Sequence, residues 1–77
     1  MAKVVNSNLK NILDERNISI RSFTELSGLH YETVRRMYHN LSRQYQKETI
    51  GRMCEVLDIE IADLLILEDE TKDHSAK

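Results

Sequence analysis

The sequence predicts an all-α fold: one compact domain of five short helices. Three observations carry this expectation. The 77-residue chain has no Pro, no Trp and only two Gly, so little in it breaks a helix. Apolar residues recur at three- and four-residue spacing through most of its length. The connections between these periodic runs are short and polar. The length bounds the architecture to one domain with a small core.

Taken in order, Met1 to Val5 reads as a frayed lead-in. Asn6 or Ser7 can cap a first helix that sets Leu9, Ile12, Leu13 and Arg16 along one face, until Asn17 interrupts it. Ser19 can cap a second helix burying Ile20, Phe23 and Leu26. Gly28 follows where a helix end favours a left-handed residue, and Leu29 can fold back as an apolar plug. A third helix runs from about Tyr31 to His39, with Val34, Met37 and Leu41 on one side and Glu32, Arg35, Arg36 and His39 on the other. Asn40, which tolerates the left-handed region, can end it. After a polar connection, a fourth helix from about Lys47 to Leu57 turns Ile50, Met53, Cys54 and Leu57 inward. The lack of a side chain at Gly51 would suit a close helix approach. Asp58-Ile59-Glu60 leads into a short fifth helix bearing Ile61, Leu64 and Leu65. Residues 1–67 make up the domain, and 68–77 read as an acidic, disordered tail.

Formal net charge is −2, but its distribution is uneven. From Arg16 to Arg52 there are seven Lys/Arg and three Asp/Glu, a local balance of +4; from Met53 to Glu70 there are seven acids and no Lys or Arg. The basic stretch contains the segment Ile18–Leu41, two short amphipathic helices about a tight turn at Ser27-Gly28-Leu29. A helix held by a narrow apolar stripe, with arginines on its free side, can enter a DNA major groove. The segment is therefore a candidate helix-turn-helix. An acidic far side is compatible with this, because screening confines its field to about 8–10 Å.

From Leu9 to Leu67 the chain resembles the phage-repressor and Cro-type helix-turn-helix family, the XRE-like regulators. The resemblance rests on Ser19, Phe23-Thr24, Gly28-Leu29-His30, Thr33-Val34 and Leu57-Asp58-Ile59-Glu60 followed by Leu64-Leu65, which fit the family's order and spacing without gaps. The sequence departs from the common pattern at Phe23-Thr24 in place of Leu-Ala, His30 in place of a capping Ser or Thr, Tyr38 in place of an acid, Asn40 in place of Gly, and Asp58 in place of Gly. The resemblance implies a lambda-repressor-like fold and double-stranded DNA as partner. It implies base reading by Tyr31, Glu32, Thr33, Arg35 and Arg36, and phosphate contacts from Ser19, Arg21, His30, Arg43, Gln44, Tyr45 and Lys47. Arg36 is the expected bidentate reader of guanine. Glu32 could accept from cytosine N4 or hold an arginine in place.

One such motif covers few base pairs, so a homodimer on a pseudo-palindromic operator is expected. Its interface would be the apolar C-terminal end, Ile61, Leu65, Ile66 and Leu67. The expected role is a repressor, since no separate sensing or activating domain is visible. An antitoxin or antirepressor-like module that holds a protein partner is the alternative, and a helical module without DNA binding a third. His30, His39, His74 and Cys54 lack metal-ligand spacing, so no metal or cofactor is expected. No catalytic constellation can be argued from spacing, so an enzyme is not expected. The single Cys and the absence of a leader-like or ~20-residue apolar run suggest a cytoplasmic protein without a membrane span.

Overall fold

The computed structural model describes residues 3–69. Its elements are β1 (Lys3–Ser7), α1 (Leu9–Glu15), α2 (Ile20–Ser27), α3 (Tyr31–Tyr38), α4 (Lys47–Leu57), α5 (Ile61–Leu64) and β2 (Leu65–Asp69). The five expected helices are present, but the fold is not purely helical. β1 and β2 pair antiparallel, from Lys3↔Asp69 to Ser7↔Leu65. Lys3 to Val5 is thus strand rather than a frayed lead-in. Glu68 and Asp69, assigned by sequence to the tail, close the ribbon. The rest of that tail, 70–77, lies outside the described residues. The ribbon escapes a local reading because each strand is five residues long and its partner lies some sixty positions away; neither alternates cleanly enough to declare a buried face.

Left-handed residues end the four longer helices. α1 stops at Asn17 (φ 58°), whose N–H donates to Asp14 O at 3.2 Å while that of Ile18 donates to Leu13 O at 2.9 Å. Asn40 (φ 59°) and Asp58 (φ 57°) repeat the pattern after α3 and α4, with Leu41 N–H to Arg36 O at 2.8 Å and Ile59 N–H to Cys54 O at 3.0 Å. These paired backward bonds satisfy carbonyls that a helix end leaves open. Gly28 (φ 76°) makes the simpler closure, its N–H on Thr24 O at 3.0 Å. α5 carries a reciprocal cap between Glu60 and Asp63.

The core comprises Leu9, Ile12 and Leu13 of α1, Phe23 of α2, Val34 and Met37 of α3, Ile50, Met53 and Leu57 of α4, and Leu64 of α5. Two residues expected on inward faces differ: Leu26 is 59 % exposed and Leu41 51 %. The inward stripe of α2 runs Ile20, Phe23, Thr24, Ser27, and Ser27 is buried where the apolar pattern points to Leu26. Polarity at Thr24 and Ser27 is absorbed locally: Thr24 Oγ1 donates to Ile20 O at 2.9 Å and Ser27 Oγ to Thr24 O. Leu41 lies past the left-handed turn at Asn40 and so leaves the face of α3. A Cβ at Gly51 would meet nothing within 4 Å among the described residues, so this glycine accommodates no close helix approach there.

Candidate nucleic-acid interface

The helix pair that presents the site is fixed from behind. Ser19 caps α2, its Oγ accepting from Ser22 N–H at 3.0 Å. At the turn, Leu29 N–H donates to Ser27 Oγ at 3.2 Å, and Leu29 packs against the core as expected. Arg52 of α4 reaches across to donate from Nε to Ser27 O at 2.7 Å, holding the end of α2 from outside the motif. Arg16 does the same for α4, donating to Leu57 O at 2.8 Å. Two of the seven basic residues between 16 and 52 therefore serve the fold.

α3 is anchored by Val34 and Met37, both buried. On its flank Tyr38 donates from its hydroxyl to Asp14 Oδ1 at 2.7 Å. Lys10 pairs with Asp14 Oδ2 at 2.7 Å and lies 5.5 Å from the Tyr38 ring centroid. The Lys10 bond, followed by that from Tyr38, pulls the Asp14 carboxyl below its ordinary range, and the Asp14 bond raises the Tyr38 phenol. His30 is the N-cap of α3 and makes no side-chain cap bond, so the terminus relies on Glu32 in its first turn to offset exposed N–H groups.

The outer face of α3 carries Tyr31, Glu32, Arg35 and Arg36. Tyr31 is 46 % exposed. Arg35 is engaged by its own helix: Nε donates to Glu32 Oε1 at 3.2 Å and a terminal nitrogen to Oε2 at 2.5 Å. The bond from Arg35 holds the Glu32 carboxyl below the ordinary value and raises the Arg35 guanidinium in turn. Arg36 is exposed and meets no carboxylate among the described residues. It borders a shallow polar cleft with Thr33, Ser42, Gln44 and Gln46, and stands beside Arg43 across Ser42 and Gln44. Thr33, expected at the reading surface, is half-buried in the wall of that cleft.

Of the expected phosphate contacts, Ser19, Arg21, His30, Arg43, Gln44 and Lys47 are exposed. Tyr45 is not available in the expected way. Its hydroxyl is buried with no hydrogen-bond partner among the described residues and burial raises its pKa, so the ring lines the cleft instead. Ser42, Gln46 and Thr49 join the cleft and had no signal in the sequence beyond belonging to a polar connection. Once the internal pairs are set aside, the cations left without a carboxylate among the described residues in the segment 16–52 are Arg21, Arg36, Arg43 and Lys47.

At the other end, Ile61 and Leu67 are exposed, whereas Leu65 and Ile66 are half-buried within β2. Sequence reasoning missed Val5, which is 43 % exposed and stands opposite Leu67 in the ribbon. No helix among the described residues is long and apolar enough to cross a membrane.

A five-helix core with a turn-linked α2–α3 pair and a basic outer helix face defines a helix-turn-helix domain of the DNA-binding kind. The chain matches the Cro/C1-type HTH DNA-binding domain over residues 8–70 and belongs to that family. Its fold is similar to the crystal structure of a "putative DNA-binding protein" from Bacteroides fragilis, with a TM-score of 0.70 and 22 % identity over 82 % of this chain and 100 % of the other. No curated protein matches the chain significantly.

Proposed function

We propose that this protein is a sequence-specific transcriptional regulator, a repressor that occupies a pseudo-palindromic operator with α3 in the major groove. The observation that carries the reading is the state of Arg36. It is exposed on the outer face of a helix whose inner face is locked by Val34 and Met37, has no carboxylate partner among the described residues, and stands next to Arg43. A guanidinium so placed can take guanine O6 and N7 as a fork, for about 1–3 kcal/mol of discrimination. Arg21, Arg43 and Lys47 supply phosphate contacts that set position without reading sequence.

Two copies act together. The exposed Val5, Ile61 and Leu67 give a second copy an apolar surface, and a homodimer sets two α3 helices one duplex turn apart, about 34 Å. The protein works by occupancy in the cytoplasm and carries out no reaction. The decisive experiment is selection of bound sites from random DNA, repeated with Arg36→Ala. The expected result is a symmetric motif that loses one guanine per half-site in the variant. An unchanged motif would remove Arg36 from the reading set, and no enrichment by the parent protein would overturn the reading itself.

A further inference from the structure

We infer that Glu32, held by Arg35, is a second specificity-determining residue, and that Arg35 is its positioning residue rather than a reader in its own right. The inference rests on the DNA-binding reading above and assigns one base preference within it.

The geometry gives the two neighbouring arginines different tasks. Arg35 commits Nε and a terminal nitrogen to the two oxygens of Glu32, one turn earlier on the same helix face. That fork fixes the carboxylate plane at the second residue of α3, and residues at the start of a recognition helix reach base edges. An ionised carboxylate offers about four acceptor positions; Arg35 occupies two and leaves the rest outward. The Glu32 side chain is 59 % exposed and that of Arg35 34 %. The outward group of the pair is thus an acceptor.

An exposed ion pair is weak by itself. On DNA, however, separating this one would leave a bare carboxylate within about one screening length of the phosphates, so the approach of the duplex favours keeping Arg35 on Glu32. An acceptor presented to the major groove selects a base that offers an amino hydrogen there, cytosine N4 or adenine N6. It opposes guanine N7 and O6 and thymine O4, which are acceptors themselves. Arg36, free of any such tie, selects guanine. The helix therefore carries one acceptor and one donor fork, and the pairing of Arg35 removes a cation that would otherwise hold DNA regardless of sequence.

The test is site selection from random duplexes with the parent protein and the variants Glu32→Ala, Glu32→Gln and Arg35→Lys, each checked for helical content by circular dichroism. The parent motif is expected to hold a cytosine or adenine near the Arg36-dependent guanine. Glu32→Ala should flatten that position, lowering its discrimination by about tenfold, and leave the guanine intact. Glu32→Gln, which both donates and accepts, should shift the position toward adenine. Arg35→Lys keeps the charge but loses the fork, and should blur the same position as Glu32→Ala. A motif from Glu32→Ala as sharp as the parent's, or a lost guanine in Arg35→Lys, would overturn this inference while leaving the DNA-binding reading in place. Failure of the parent protein to enrich any motif would remove both.

Discussion

Asn17, Asn40 and Asp58 share a left-handed backbone but not a role. Neither Asn17 nor Asp58 makes a side-chain hydrogen bond among the described residues, so each bears the steric cost of a Cβ at positive φ with no local return. Asn17→Gly and Asp58→Gly should each raise unfolding free energy by up to about 1 kcal/mol in urea titrations. Asn40→Gly should lower it by about 1 kcal/mol, because Asn40 Oδ1 accepts from Ser7 N–H and its amide donates to Asn6 Oδ1, both at 2.9 Å. Asp14 provides a second measurement at this scale. Its carboxyl is depressed below the ordinary 3.8 by Lys10 and Tyr38, so the stability it contributes is present above that value and lost as pH falls through the depressed one. Asp14→Asn should flatten the acid limb of stability below about pH 4 and leave the slope near neutrality unchanged. The left-handed sites were legible because Gly, Asn and Asp announce them. The tie between Arg35 and Glu32 was legible only as one of two options, since i, i+3 spacing permits a pair without requiring it.

The helices were legible in sequence because each carries its own period and punctuation. Lys47 to Leu57 emerges at its expected bounds, flanked by polar residues and closed by Asp58. The second helix shows the limit of that reasoning: a buried Ser27 beside an exposed Leu26 reverses the usual assignment, because the inward stripe set by Ile20 and Phe23 continues through Thr24 to Ser27. The ribbon was illegible for a different reason, since nothing within either five-residue strand names the other. Its anchors are dispersed: Asn8 N–H on Leu64 O at 2.7 Å, the Lys3–Asp69 pair at 2.7 Å, and Asn6 on Glu68. Substituting Ser19 by Ala should cost about 1 kcal/mol by uncapping α2, read as a lower denaturant midpoint. Should Ser19 also touch phosphate, the variant's DNA affinity would drop by more than its loss of folding accounts for.

At the scale of the molecule, the net charge of −2 conceals a cationic stretch around α3, and counting residues overstates it. Arg16 and Arg52 bond carbonyls and Arg35 bonds Glu32, which leaves Arg21, Arg36, Arg43 and Lys47 in each copy. With Arg36 on a base, Arg21, Arg43 and Lys47 give three phosphate contacts per copy, six in a dimer, and predict a log–log slope of affinity against salt near −5, at about −0.9 per contact. A slope steeper than about −10 would mean that the internally bonded arginines are released on DNA. Sedimentation should show a dimer that Val5→Lys and Leu67→Lys each weaken without unfolding the protomer. An unaffected dimer would place the contact elsewhere.

Pairing Lys3 with Asp69 brings the first and last described residues side by side. A short flexible linker could join these positions, and new termini could be opened in the exposed stretch around Arg43 and Gln44. Such a circular permutant should fold with every helix in place yet lose operator recognition, separating the requirements of folding from those of reading DNA within one molecule.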